Sequence, residues 1–485
     1  MIGHARRTAA LLTWIPLMLS CGRSANVLFA LSRSDASVPD ANTLDAEPRP
    51  LDGQTAVDGA GPAASCGAFS PAPDFLLCSA GYLGSKSDDE GTAVAYAADG
   101  RLLIAGAFGD LGVNEETLIA GSGGALLWLD ASGQKVQRLQ RVGDRVADMD
   151  VADDGFIALT GSFGWAILEP DGSSVFDQGA LPTPGLRVAI LAGKRVVVLS
   201  SGKALHWVGA FANKTVSLSD DQVEDLALDP KSGILFVTGA HGVIGGCQGT
   251  VPFLRSYDVE GNLLQSVYDH ADAQGNCASS RGVRVQMGKD GKLYYGGENN
   301  GGNTVHLKDP RDLSAPAPLV SYDAYTAGYG KAIQTYGFAA RFDPSTLNLE
   351  LGQVLLPRTG DVGGTLQVRS IDADAQGHVY LGGAASCCIG ERDALHFGDL
   401  VPGQAPPLET SLAVLTPDFN ARRAWLTWSG AAAPESRVVG VALGASSVAV
   451  LSQVEAGSGS MLTLGGPQLK PVGGQDAFLS VFPSP

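Results

Sequence analysis

The chain has 485 residues, 45% of them hydrophobic, with 64 glycines and only 17% charged residues. That balance supports a large core made of short strands and tight turns, and it excludes an architecture of long helices rich in Ala, Glu, Lys and Leu. The formal net charge is −17 and the paired arginines, Arg6–Arg7 and Arg422–Arg423, stand isolated, which excludes a surface for nucleic acid or anionic lipid.

Residues 1–21 read as a targeting segment. Arg6 and Arg7 give a basic start, and AALLTWIPLMLS (9–20) is an apolar run too short to span a bilayer and interrupted by Pro16. It ends in LSCG (19–22), which resembles a bacterial lipobox. Ser20 before Cys21 fits that pattern, whereas Met18 and Leu19 depart from it. The resemblance implies acylation of Cys21, with ordinary signal cleavage or an uncleaved anchor as the alternatives. Residues 22–65 are rich in Ala, Asp, Pro, Ser and Gly and cannot bury enough surface to offset their ordering entropy. They are expected to form a disordered acidic tether, with the folded domain at 66–485.

Export licenses disulfides. Cys66, Cys78, Cys247, Cys277, Cys387 and Cys388 follow Cys21, an even number. Proximity suggests Cys66 with Cys78 and Cys247 with Cys277, while Cys387 and Cys388 could join each other or pair elsewhere. Their spacing fits no zinc ligand set, so no metal is expected.

From residue 74 onward one pattern recurs. GKDGKLYYGG (288–297) places a turn glycine, Gly291, six residues before Gly297, with Leu293 and Tyr295 alternating between them. The same register appears at Gly100, Gly155, Gly233 and Gly377, and in weaker form at Lys194 and Ser446, making seven copies. A second apolar alternation leads into each copy, as at Met149 and Val151. Each copy is therefore a β-hairpin whose turn needs positive φ at the anchor. A second kind of hairpin lies between them, clearest in ALLWLDASGQKVQRL (125–139). Two hairpins make one four-stranded propeller blade, and seven alternations predict an all-β, seven-bladed propeller of antiparallel blades. The last hairpin is cut short at 477–485, and DFLLCSAGYLG (74–84) has no partner of its own. The two are expected to pair, closing the ring with strands from both ends of the domain.

The cycle DAFLSVF (476–482) followed by YLGSKSDDEGTAVAYAADGRLLIAG (82–106) is similar to the bacterial β-propeller repeats called SBBP. Phe478, Tyr82, Leu83, Gly84, Asp99, Gly100 and Gly106 carry the resemblance, and 465–478 adds to it. It implies the fold and not a function, since such repeats host binding, adhesive and enzymatic roles.

Alternating topology puts all the within-hairpin turns on one face and the connections between hairpins on the other. The long inserts at 107–124, 240–251, 269–282, 298–336, 384–410 and 453–476 are accordingly expected on the connection face, where loops on a rigid scaffold carry binding residues. Asn299, Asn300, Asn303, Tyr322, Tyr325 and Tyr329, in the longest insert, have the composition of a recognition loop. His241, His270 and His396 could converge there. The carboxylates of DMDVADDG (148–155) are spaced loosely like a calcium loop but lack its full ligand set, and a strand with a capped turn is the preferred reading. No hydrolase or phosphate-loop motif is present.

The sequence thus predicts a non-enzymatic, lipid-tethered exported propeller that recognises a protein or glycan at the cell envelope. It is expected to face the periplasm or cell surface from the outer membrane, to touch membrane only through its lipid, and to act as a monomer without a cofactor. The alternatives are an exported lyase or hydrolase at the channel mouth on the long-loop face, and a pure spacer.

Overall fold

The computed structural model describes residues 77–483 except 212, 221, 243–248, 270–278, 301–304, 321–334, 360–361, 387–407, 430–434 and 456–460. Cys21, the tether, Cys66, Cys247, Cys277, Cys387 and Cys388 lie outside them, as do Asn303, Tyr322, Tyr325, Tyr329, His270 and His396. Of the cysteines in the predicted pairings only Cys78 lies among the described residues, where it is disulfide-bonded; the others lie outside them.

Strand pairing follows the period-two alternation of the sequence. Seven sheets of four or five strands follow one another along the chain, six of four strands and one of five, antiparallel except for one edge pair in the five-stranded sheet. They form blade 1 (90–142), blade 2 (146–179), blade 3 (185–217), blade 4 (222–267), blade 5 (280–355), blade 6 (366–426) and blade 7 (436–483), the last completed by Ser79–Leu83. The ring closes as expected. Ser79–Leu83 runs antiparallel to Asp476–Pro483, with Tyr82 opposite Phe478 and Gly81 opposite Leu479. Among the described residues there is no α-helix, and no helix is long and apolar enough to cross a membrane.

Turn chemistry explains the hairpins. The anchors Gly100, Gly155, Gly233, Gly291 and Gly377 have φ between 74° and 86°, and Lys194 takes 64° at the equivalent position. At Gly100 an added Cβ would meet nothing within 4 Å, so glycine is needed there for its backbone freedom alone. Between blades the core is continuous. Val438, Val441 and Val450 of blade 7, for example, pack with Tyr380, Leu412 and Val414 of blade 6.

Described parts of three of the six long inserts cover open blade edges. Residues Glu115–Ile119, inside the first insert, pair in parallel with Val136–Val142 and give blade 1 its fifth strand. In blade 5 Leu319 makes a parallel bridge to Gly352, and Val320 donates its N–H to the Gly352 carbonyl at 2.9 Å. In blade 7 Gly465 bridges Ala80 in parallel, and the Tyr82 N–H reaches the Gln468 carbonyl at 2.8 Å. The physical reason is common to all three. An outermost strand leaves a row of backbone groups without partners, and an insert that supplies them also blocks edge-to-edge association.

Candidate functional site: the central channel

The first strand of each blade lines the axis of the ring. All seven carry a register shift near their start, at Gly91/Ala93, Val146/Asp148, Gly185/Arg187, Val223/Asp225, Gly282/Arg284, Val368/Ser370 and Val438/Gly440. A bulge bends its strand and re-aims the next side chain. Seven bulges in register produce a ring of re-aimed residues around the axis. Blades 2 to 5 place Asp148, Arg187, Asp225 and Arg284 in it, blade 6 places Ser370, and blades 1 and 7 place only Ala93 and Gly440. Two residues further along each strand a second ring holds Asp150 and Asp372, with alanines or Gln286 in the other blades.

Both rings line a cavity of about 600 Å³. Its wall continues through the hairpin turns, including Ala98, Asp153, Pro230, Lys289 and Ala445, and takes in few residues ahead of the bulges. The cavity thus lies toward the hairpin-turn end of the channel, whereas sequence reasoning placed the site at the opposite mouth.

The inner strands expose backbone amides along their channel edge, and the acidic residues satisfy them across blade boundaries. Asp148 accepts the Val188 N–H at 2.9 Å, Asp150 accepts that of Ile190 at 2.9 Å, and Asp154 accepts that of Gly193 at 2.8 Å. This is the role of the DMDVADDG stretch, which forms a strand and a capped turn as the preferred reading had it. Asp225 repeats the contact from blade 4 to Val285 at 3.0 Å, and the Ser370 hydroxyl repeats it from blade 6 to Val441 at 3.0 Å. The signal for these residues was present in the sequence: an Asp at alternate positions of an otherwise apolar strand.

Enclosure changes the proton affinity of these groups. Burial pushes Asp148 up to about 6, with Arg187 opposing it. Burial likewise raises Asp150 and Asp372 to about 7, and the two carboxyls also repel across the channel. Arg284 moves the other way: burial, then the charge of Arg187, lowers it to about 10. A carboxyl with a raised folded-state pKa takes up a proton on folding. Its contribution to stability is therefore complete below about pH 4 and is lost as pH rises toward 7. We expect unfolding free energy to fall over that interval, and Asp150→Asn or Asp372→Asn to flatten the fall by about 1 kcal/mol each once water in the cavity is allowed for. Denaturant titrations at half-unit pH steps check this; variant and parent curves that stay parallel would refute it.

The predicted loop residues that are described lie away from this cavity. Asn299 is buried in the second strand of blade 5, opposite Ser280 and Tyr336, and the Asn300 side chain accepts the Thr335 hydroxyl at 3.2 Å. His241, near the connection end of blade 4, has Nδ1 3.3 Å from Asp269, and Arg255 binds both Asp269 and Asp220. At that end of the channel, sequence reasoning missed Glu298. This buried carboxylate accepts Arg281 at 2.7 Å, Arg369 at 3.1 Å and the Val368 N–H at 2.8 Å, joining blades 5 and 6. Among the described residues no group of three or more His, Cys, Asp or Glu could hold a metal ion.

No family model and no curated protein matches the chain. Among solved structures it is similar to the Pan2 WD40 domain of Neurospora crassa, with 10% identity and a TM-score of 0.35 over 70% of this chain and 89% of that one. It is also similar to U3-55K, with 10% identity and a TM-score of 0.47 over 84% of this chain and 99% of that one. The blade count rests on the strand pairing and not on these distant likenesses.

Proposed function

We infer that this propeller is a non-enzymatic recognition module of the SBBP type, exported, held to the envelope by a lipid on Cys21, and directed at a protein or glycan. One observation carries the binding reading: a cavity of about 600 Å³ on the ring axis whose carboxylates Asp148, Asp150 and Asp225 each spend an oxygen on a neighbouring blade's amide. Groups committed in this way hold a rigid, charged surface; they are not poised as an acid and base around a reacting atom. The basic start, short apolar run and LSCG of residues 1–22 support export and acylation.

The test uses the full chain and its Cys21→Ala variant in a bacterial host. The parent incorporates radiolabelled palmitate and sediments with membranes, the variant does neither, and both retain either envelope proteins or envelope polysaccharide on a column. Retention of neither class would refute the recognition reading, and unaltered palmitate labelling of the variant would refute the anchor.

The enzyme reading has one observation in its favour, the two carboxyls near 7 in the cavity. It predicts cleavage products from envelope polysaccharide that disappear in both Asp150→Asn and Asp372→Asn, whereas simple retention leaves the polysaccharide intact.

A further inference from the structure

The charges in the cavity are unevenly matched. Arg187 has Asp225 at 3.3 Å. Arg284 has no carboxylate within ion-pair distance among the described residues. Its Nε donates to the Arg369 carbonyl at 2.5 Å and its Nη1 to its neighbour Val283 at 2.9 Å, while Nη2 makes no hydrogen bond there. Lys289, at the hairpin-turn end, also binds only carbonyls, those of Leu443 at 2.5 Å and Gly444 at 3.1 Å. Carbonyl dipoles satisfy donors without cancelling charge, and a guanidinium removed from bulk water without a counter-ion is costly. The nearby acids Asp225, Asp148 and Glu224 relieve it only in part, since none stands within ion-pair distance and Asp148 and Asp225 each turn an oxygen to the amides of blades 3 and 5.

We propose that the cavity binds an acidic sugar, its carboxylate on Arg284 and its hydroxyls on Asp150 and Asp372, at the end of a glycan chain. The proposal deepens the recognition reading and rests on it. Three features select this class of ligand. The two rings stand two strand residues apart, about 7 Å along the channel, roughly the span of one pyranose with its substituents. The volume, about 600 Å³, lies in the range of small-ligand sites and holds one to three sugar units. Blades 7 and 1 present Gly440, Ala442, Ala93 and Ala95, a smooth wall on which the apolar face of a sugar ring can lie. The raised proton affinity of Asp150 and Asp372 lets each donate as well as accept, which suits hydroxyl partners. The net charge of −17 repels a long polyanion, so a chain end or short oligosaccharide is the fitting occupant.

The experiment titrates the full chain by calorimetry with glucuronate, glucose and inorganic phosphate as separate probes. Glucuronate binds, glucose and phosphate bind at least about tenfold more weakly, Arg284→Gln loses about tenfold for glucuronate, and Arg284→Lys recovers part of it. Because Arg284 is buried without a close ion-pair partner in the free protein, Arg284→Gln also unfolds at the same or a higher denaturant concentration than the parent. A variant that fails to fold would overturn the premise of an unmatched charge. Equal binding of phosphate and glucuronate would overturn the choice of a sugar. Retention on neutral envelope polysaccharide without glucuronate binding would leave the recognition reading standing and overturn this one.

Discussion

Replacing Tyr82 with Ala lowers the free energy of unfolding by about 4 kcal/mol. Tyr82 stands in Ser79–Leu83, the strand that closes the ring from the amino-terminal side, and it has no solvent exposure. Its ring meets Phe478 edge-on, with centroids 4.9 Å apart, and its hydroxyl accepts the Met461 N–H at 2.8 Å. Its own N–H reaches Gln468. One side chain thus ties the closing strand to Asp476–Pro483 on one side and to the edge-covering insert on the other. Truncation removes a large buried surface, leaves a cavity in the core shared by blades 6 and 7, and strips the Met461 amide of its acceptor. Tyr82→Phe separates these contributions. It keeps the ring and loses only the hydroxyl, for about 1–2 kcal/mol. Urea unfolding followed by tryptophan fluorescence reads both. A Tyr82→Ala variant within 1 kcal/mol of the parent, on the scale of ordinary surface changes, would mean that this strand does not seal the ring.

The architecture was legible because a propeller writes the same local chemistry seven times. Six of the seven anchors take positive φ, so glycine recurs at a fixed distance from a small residue; of the two exceptions Lys194 keeps the left-handed backbone, whereas Ser446 turns without it. Closure was legible from arithmetic: a half-finished hairpin at one end and an unpartnered strand at the other. Two features were not legible. Insert length shows that a segment must go somewhere, but which open edge it covers depends on a strand distant in sequence, as when Gly465 meets Ala80. The bulges were hidden because they shift register by one residue and leave no compositional mark. Without them Asp148 and Arg284 could not be placed on one ring, and the channel's charge pattern stayed out of sight. Of the residues proposed for a site, Asn299 and Asn300 proved to belong to the blade 5 ladder. The acids of 148–155 were noticed, yet their partners lie about forty residues away in the next blade.

Removing Glu298 opens the seam between blades 5 and 6, and Glu298→Ala is expected to cost about 3 kcal/mol. The carboxylate side chain is only 5% exposed and bridges two cations, Arg281 at 35% and Arg369 at 25% exposure. It also accepts the Val368 amide, which sits just ahead of the blade 6 bulge. Truncation leaves two guanidiniums facing each other across a vacated pocket and an amide without an acceptor. Partial exposure of both arginines lets water reach them, which holds the loss to the lower end of what breaking a buried ion pair costs. The Arg281–Glu224 separation of 3.8 Å gives little relief, because that pair is longer and more exposed. Glu298→Gln keeps an oxygen for Val368 and costs about half as much. Adding Arg369→Ala to Glu298→Ala removes one of the stranded charges, so the double variant is more stable than the sum of the single losses predicts, with a coupling of about 1–2 kcal/mol. Denaturant midpoints of the four proteins measure that coupling. Strict additivity would show that Glu298 fills space at the seam without joining the two blades through charge.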